Sequence, residues 1–202
     1  MNLGLTTSFV VAGILLLSIL SMNMNLSQSS TELTMRQITQ QRSNTITEIL
    51  QKDIPNIAYK KNGTVSSPIK DAQEKLIEFE SDIDNDGSVE TITWEFTDTA
   101  VSSTQNPNDR ILVRTVDGST TEIKSGVTEF NLTYRDQNRQ KIDINLLSSL
   151  LGGAQAERDK IRYITIDFTL GSPEKVGGAG NSDPHFIYTR WEKQFTPMNL
   201  RF

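Results

Sequence analysis

Residues 3–22 read LGLTTSFVVAGILLLSILSM, twenty positions without one ionisable side chain. Within them Phe9–Leu20 is almost wholly apolar. Twenty helical residues rise about 30 Å, the thickness of a bilayer's hydrocarbon core. The stretch therefore predicts a helix that crosses a membrane. Thr6, Thr7, Ser8 and Ser18 are compatible with that setting, because their hydroxyls can bond back to helix carbonyls. A secretory signal would carry a basic segment ahead of the apolar run, and here no Lys or Arg precedes Arg36. The run reads as a retained anchor. Arg36 and Arg42 follow it, and a strict positive-inside count would leave the rest of the chain in the cytoplasm. They lie more than ten residues beyond the span, however, and the acidic loop described below favours the outside.

Downstream of the span, Leu26, Leu33, Ile38, Ile46, Ile49, Leu50 and Ile54 form a loose apolar stripe among Gln, Thr, Ser and Arg. The set at 46, 49, 50 and 54 has helical spacing, and Pro55 ends it. The expected organisation is a transmembrane or filament-core helix over 1–25, an amphipathic continuation over 26–55, and a mainly antiparallel β domain over 56–202.

Beyond Pro55 the chain turns to short β-rich runs separated by turn residues. Leu76–Glu80 and Val89–Phe96 alternate. Ile111–Val116 is followed by Asp117-Gly118 as a hairpin turn into Thr121–Lys124. Val127–Tyr134, Tyr163–Leu170 and Phe186–Phe195 complete the predicted strands. Leu146–Leu151 reads as a short helix and Gly177–Pro184 as an exposed loop. Trp94, Trp191, Tyr134 and Tyr163 fall in strands and are expected to pack in the core or on the sheet. The class is α+β, a long helix against an antiparallel sheet.

Composition excludes some functions. The formal net charge is −5, the sequence pI is about 5.0 and no dense Lys/Arg cluster occurs, so no nucleic-acid partner is expected. Cysteine is absent, which removes disulfides, thiolate metal sites and cysteine nucleophiles together. The one histidine, His185, stands beside Pro184 in a predicted loop. No Gly-x-Ser-x-Gly elbow is present, and the glycines at 177, 178 and 180 lack the Lys of a phosphate loop. Neither an enzyme nor a small-molecule substrate is expected.

Ser81-Asp82-Ile83-Asp84-Asn85-Asp86-Gly87-Ser88-Val89-Glu90 is the sharpest chemical feature. Alternate aspartates followed by Gly match the first half of an EF-hand loop, but position twelve is Thr93 and strands flank it where helices should. Converging carboxylates repel unless a cation or open water lies between them, and Gly87 permits the sharp turn. A solvated Asp/Asn/Gly turn is the alternative. The spacing resembles the calcium-binding hairpins of integrin-type repeats. That resemblance implies calcium held by Asp82, Asp84, Asp86, Glu90 and the backbone carbonyl of Ser88, in a structural role and at the weak affinity of extracellular sites.

The order of parts resembles type IV pilin-like proteins, especially minor pilins and the minor pseudopilins of type II secretion. An apolar helix with an amphipathic continuation leads to Ile49-Leu50-Gln51-Lys52-Asp53-Ile54. The Asp-x-Asp-Asn-Asp-Gly hairpin follows, then Ile123–Phe130 running into Leu132-Thr133-Tyr134. The strand Ile164–Phe168 and the closing Pro197–Leu200 complete the likeness. Members of that family carry a Glu five residues after the glycine at which they are processed. Here Gly4 is followed at that interval by Phe9. The resemblance implies a non-enzymatic structural subunit of a pilus or secretion pseudopilus that assembles through its N-terminal helix. Its partners would be the membrane and other pilin-like subunits, and its place an inner- or cell-membrane anchor or an extracellular filament. The alternative is a monomeric, membrane-anchored and calcium-stabilised surface binding module or adhesin.

Overall fold

The computed structural model describes residues 3–178 and 183–200. A single helix, α1, runs from Leu3 to Asp53 and is about 75 Å long at 1.5 Å per residue. It stops where the sequence demands. Pro55 has no N–H to continue the ladder, so Ile54–Asn56 tightens into one 3-10 turn, and the Asn56 side chain donates to the Lys52 carbonyl at 2.9 Å.

Among the described residues seven strands follow: β1 (Ile69–Ala72), β2 (Leu76–Ser81), β3 (Glu90–Ala100), β4 (Arg110–Val116), β5 (Ser119–Arg135), β6 (Tyr163–Gly171) and β7 (Tyr188–Phe195). They pair in sequence order as one antiparallel meander. Two short helices, α2 (Ile144–Leu147) and α3 (Gln155–Arg158), fill the β5–β6 connection. The α+β class holds. The predicted helix at 146–151 begins two residues earlier and breaks at Ser148 before a 3-10 turn over Ser149–Leu151. The last strand begins at Tyr188 rather than Phe186. The predicted loop at 177–184 is described at residues 177, 178, 183 and 184 only; positions 179–182 lie outside the described residues.

The two runs predicted at 121–124 and 127–134 are one strand. The first half of β5 pairs with β4 and the second half with β6, and the register shifts where the partners change. Gly126 makes this possible. Its φ is +86°, and a Cβ there would meet the Gly171 carbonyl oxygen at 2.6 Å. β3 slips register against β4 at the same level, between Phe96 and Ala100, so the sheet curls around its middle. The β1–β2 turn seats inside the curl. Leu132 N donates to the Glu74 carbonyl, Phe96 N to the Lys75 carbonyl, and the buried Tyr134 hydroxyl reaches the carbonyls of Gln73 and Leu76.

The lower half of α1 closes the core. Thr39, Ser43, Ile46, Leu50 and Asp53 are buried, a 4-3-4-3 spacing that keeps one helix face on the sheet. Ile46, Leu50 and Ile54 pack with Phe79, Trp94, Phe130 and Phe168. Trp191 is half-buried, its ring 5.1 Å from that of Phe168. Tyr163 is half-buried under the Arg139 guanidinium. The sequence-predicted stripe is corrected at its upper end: Leu26 and Leu33 are exposed. Thirteen residues separate Leu33 from Ile46, about 3.6 helical turns, so Leu33 points away from the docked face.

Candidate functional site

Two features stand apart from ordinary packing. The first is the upper half of α1. From Thr6 to Ser27 every described side chain is exposed, with Phe9 70% and Leu16 67% accessible. Its hydroxyls are satisfied within the helix: Ser8 and Ser18 donate to the carbonyls of Gly4 and Ile14. By length and composition α1 can cross a membrane, and its apolar window has no buried residue. That separates it from the core helix of a soluble protein.

The lower half is held by a buried charge. Asp53 sits in the last turn of α1, where the helix dipole disfavours an anion. Arg114 on β4 compensates, with Nε 2.6 Å from Oδ2 and Nη2 3.1 Å from Oδ1, and the Trp94 indole N–H adds a third bond at 2.9 Å. An aspartate in the turn before Pro55 was the only sequence sign that such a partner existed. Higher up, Arg42 approaches the β3–β4 connection, where Asp109 is fully buried. Burial raises the Asp109 carboxyl above its ordinary value, while the guanidinium groups of Arg42 and Arg110 draw it back. Arg42 Nη1, Thr104 Oγ1, Asn106 Nδ2 and both Asp109 oxygens are buried without a hydrogen bond among the described residues.

The second feature is the acidic loop, which joins β2 to β3 across the Ser81–Glu90 pair. Asn85 and Gly87 take φ of +66° and +100°, and these turn the chain. Asp84 Oδ1 accepts from Asp86 N, and Asp86 Oδ1 from Ser88 N. One carboxylate oxygen from each of Asp82, Asp84 and Asp86 lies within 4.8 Å of the other two. Asp84 and Asp86 face solvent, while Asp82 is 1% exposed. Asp82 Oδ2 accepts from Lys61 N and Gly87 N, and its Oδ1 is buried with no hydrogen-bond partner among the described residues. Glu90 stands outside the triad, its Oε2 accepting from Ile83 N at 2.8 Å. Ser88 is exposed at the rim of the loop, its N–H engaged by Asp86.

The structure also brings in residues that the loop's own spacing does not announce. The Tyr59 hydroxyl donates to Asn85 Oδ1, Asp82 N donates to the Tyr59 carbonyl, and Lys61 Nζ donates to the Asn85 carbonyl. His185 is exposed, its Nδ1 3.0 Å from the Asp183 carbonyl. A cleft of about 570 Å³ is lined in part by Lys75, Phe96, Asp98, Arg110, Glu129 and Tyr188. Its cations are engaged: Lys75 pairs with Asp98, and Arg110 donates to the carbonyls of Pro107 and Asp109. The chain matches no family model and no curated protein.

Proposed function

We propose that this chain is a non-enzymatic structural subunit of the type IV pilin-like kind, in the manner of a minor pilin or minor pseudopilin. The upper half of α1 anchors it in a membrane and then packs among the helices of neighbouring subunits, with the β domain outside. The observation that carries this reading is where the exposed apolar surface ends. A bilayer's hydrocarbon core covers about 20 helical residues, which accounts for α1 up to about Met22. Met24, Leu26 and Leu33 lie beyond it and are still exposed. A solitary anchored molecule leaves those side chains in water, whereas packing against helices of sister subunits buries them. The monomeric anchored module is the rival reading.

The cysteine-free chain permits a direct test. Single cysteines replacing Leu16, Leu26 or Leu33 are expected to form intersubunit disulfides in the native membrane or filament. Phe9→Arg, which places a charge costing about 2.5–3.5 kcal/mol in the apolar span, is expected to abolish those adducts while the β domain keeps its melting temperature. Adducts at none of the three positions, from protein retained in the membrane, would leave the anchored monomer as the answer.

A further inference from the structure

We propose that Asp82, Asp84 and Asp86 hold a calcium ion, and that the bound ion locks the exit of α1 onto the β domain. The buried member of the triad is what points to a ligand. Asp82 is almost fully enclosed and spends one oxygen on two backbone N–H groups. Its other oxygen is buried and accepts no hydrogen bond among the described residues. An anionic oxygen in that position is costly unless a cation meets it. One oxygen from each of Asp82, Asp84 and Asp86 lies within 4.8 Å of the other two.

The donor set selects the ion. The triad offers only hard oxygen donors and no sulfur or imidazole, which suits calcium or magnesium over the transition metals. Two members on an open, solvent-facing hairpin tolerate the irregular, high coordination of calcium. Magnesium requires a rigid octahedron and gives up its water reluctantly. Three carboxylates without an enclosing cage give affinity of about 0.1–1 mM, the range of extracellular modules. Occupancy then belongs to a domain outside the cytoplasm.

The lock follows from what the loop is tied to. Ser81 Oγ donates to the Asn56 carbonyl, and Ala58 N donates to the Glu80 carbonyl. Tyr59 and Lys61 make four further hydrogen bonds with Asp82 and Asn85: Asp82 N to Tyr59 O, Tyr59 Oη to Asn85 Oδ1, Lys61 N to Asp82 Oδ2, and Lys61 Nζ to Asn85 O. Residues 56–61 are the segment by which α1 enters the β domain. An ion that fixes Asp82 and the loop therefore fixes the helix exit, and with it the angle at which the domain is carried on its anchor.

Full-length protein in detergent micelles, titrated with calcium chloride, tests both steps. Calcium is expected to raise the melting temperature and to slow amide exchange at residues 57–61 by tenfold or more, with residues 10–20 unchanged. Terbium in place of calcium is expected to show luminescence sensitised by Tyr59. The exposed substitutions Asp84→Asn and Asp86→Asn leave the buried carboxylate in place and are expected to weaken both responses at least tenfold. No thermal response and no terbium signal in the unmodified chain would overturn the site, as would an equal response to magnesium chloride. Binding without added protection at 57–61 would overturn the lock and leave the site standing.

Discussion

Between Phe9 and Leu20, α1 is nearly all apolar and wholly exposed. Between Thr39 and Asp53 it reads TQQRSNTITEILQKD and is docked on the sheet. One uninterrupted helix thus inverts the ordinary relation between greasiness and burial. The lower half docks because a narrow 4-3-4-3 face suffices. Thr39 and Ser43 are small enough to let the helix approach, and the Thr39 hydroxyl satisfies itself on the Met35 carbonyl. Among the described residues the side chains from Phe9 to Leu20 in the upper half stay exposed, and that exposure is the property on which any assembly through the helix depends. Composition sets what a helix wants to bury; only the element opposite decides whether it does.

The two halves should respond differently to mutation. The largest effect is expected at the Asp53–Arg114 pair. Arg114→Ala leaves a fully buried carboxylate with only the Trp94 N–H, and removing one member of such a pair costs about 3–5 kcal/mol. Urea unfolding of the β domain measures this, and a loss below about 1 kcal/mol would show that the pair does not hold the helix end. Next, Leu50→Ala should lower the same unfolding free energy by about 2–5 kcal/mol. Leu16→Ala, equally apolar but exposed, should stay within about 0.5 kcal/mol. Equal losses would erase the distinction between the halves.

The smallest effect joins the middle of the helix to the β3–β4 connection. The Asp109 carboxyl is raised in the folded state, so the native protein holds that proton more tightly than the unfolded chain. Its contribution is greatest below the unfolded value of about 3.9 and is lost as pH rises through the folded one. Asp109→Asn removes this dependence. The stability of the unmodified protein relative to Asp109→Asn should therefore decline as pH climbs from about 4 toward neutrality. Urea midpoints for both proteins over that range check the sign, and a constant difference would rule the coupling out.

Much of the fold was legible in residue order. The helix end was written in Pro55, and five strands lay close to their alternating runs. β1, only four residues long, and the four-residue α3 escaped because elements so short carry no period. The fusion of two predicted strands into β5 escaped for another reason. Gly126 punctuates a sequence like a turn, and only the close approach of Gly171 makes it a bulge instead. For the acidic loop, spacing identified the three aspartates that converge. It also pointed to Glu90, which the structure engages with Ile83 N outside the triad. Tyr59 and Lys61 were invisible as loop partners, since they lie more than twenty residues away along the chain.

The sequence by itself determined what is local: an apolar run of bilayer length, a proline stop, alternation into strands, and carboxylates two residues apart around a glycine. These follow from backbone geometry and solvation, which act over a few residues. The tertiary structure decided which face of α1 is buried, which aspartates are enclosed and with whom they pair, and that the acidic loop grips the exit of the helix. Those outcomes depend on which surfaces meet after folding, and residue order does not state them, because the contacts that set them, Tyr59 with Asn85 and Asp53 with Arg114, join positions 26 and 61 residues apart.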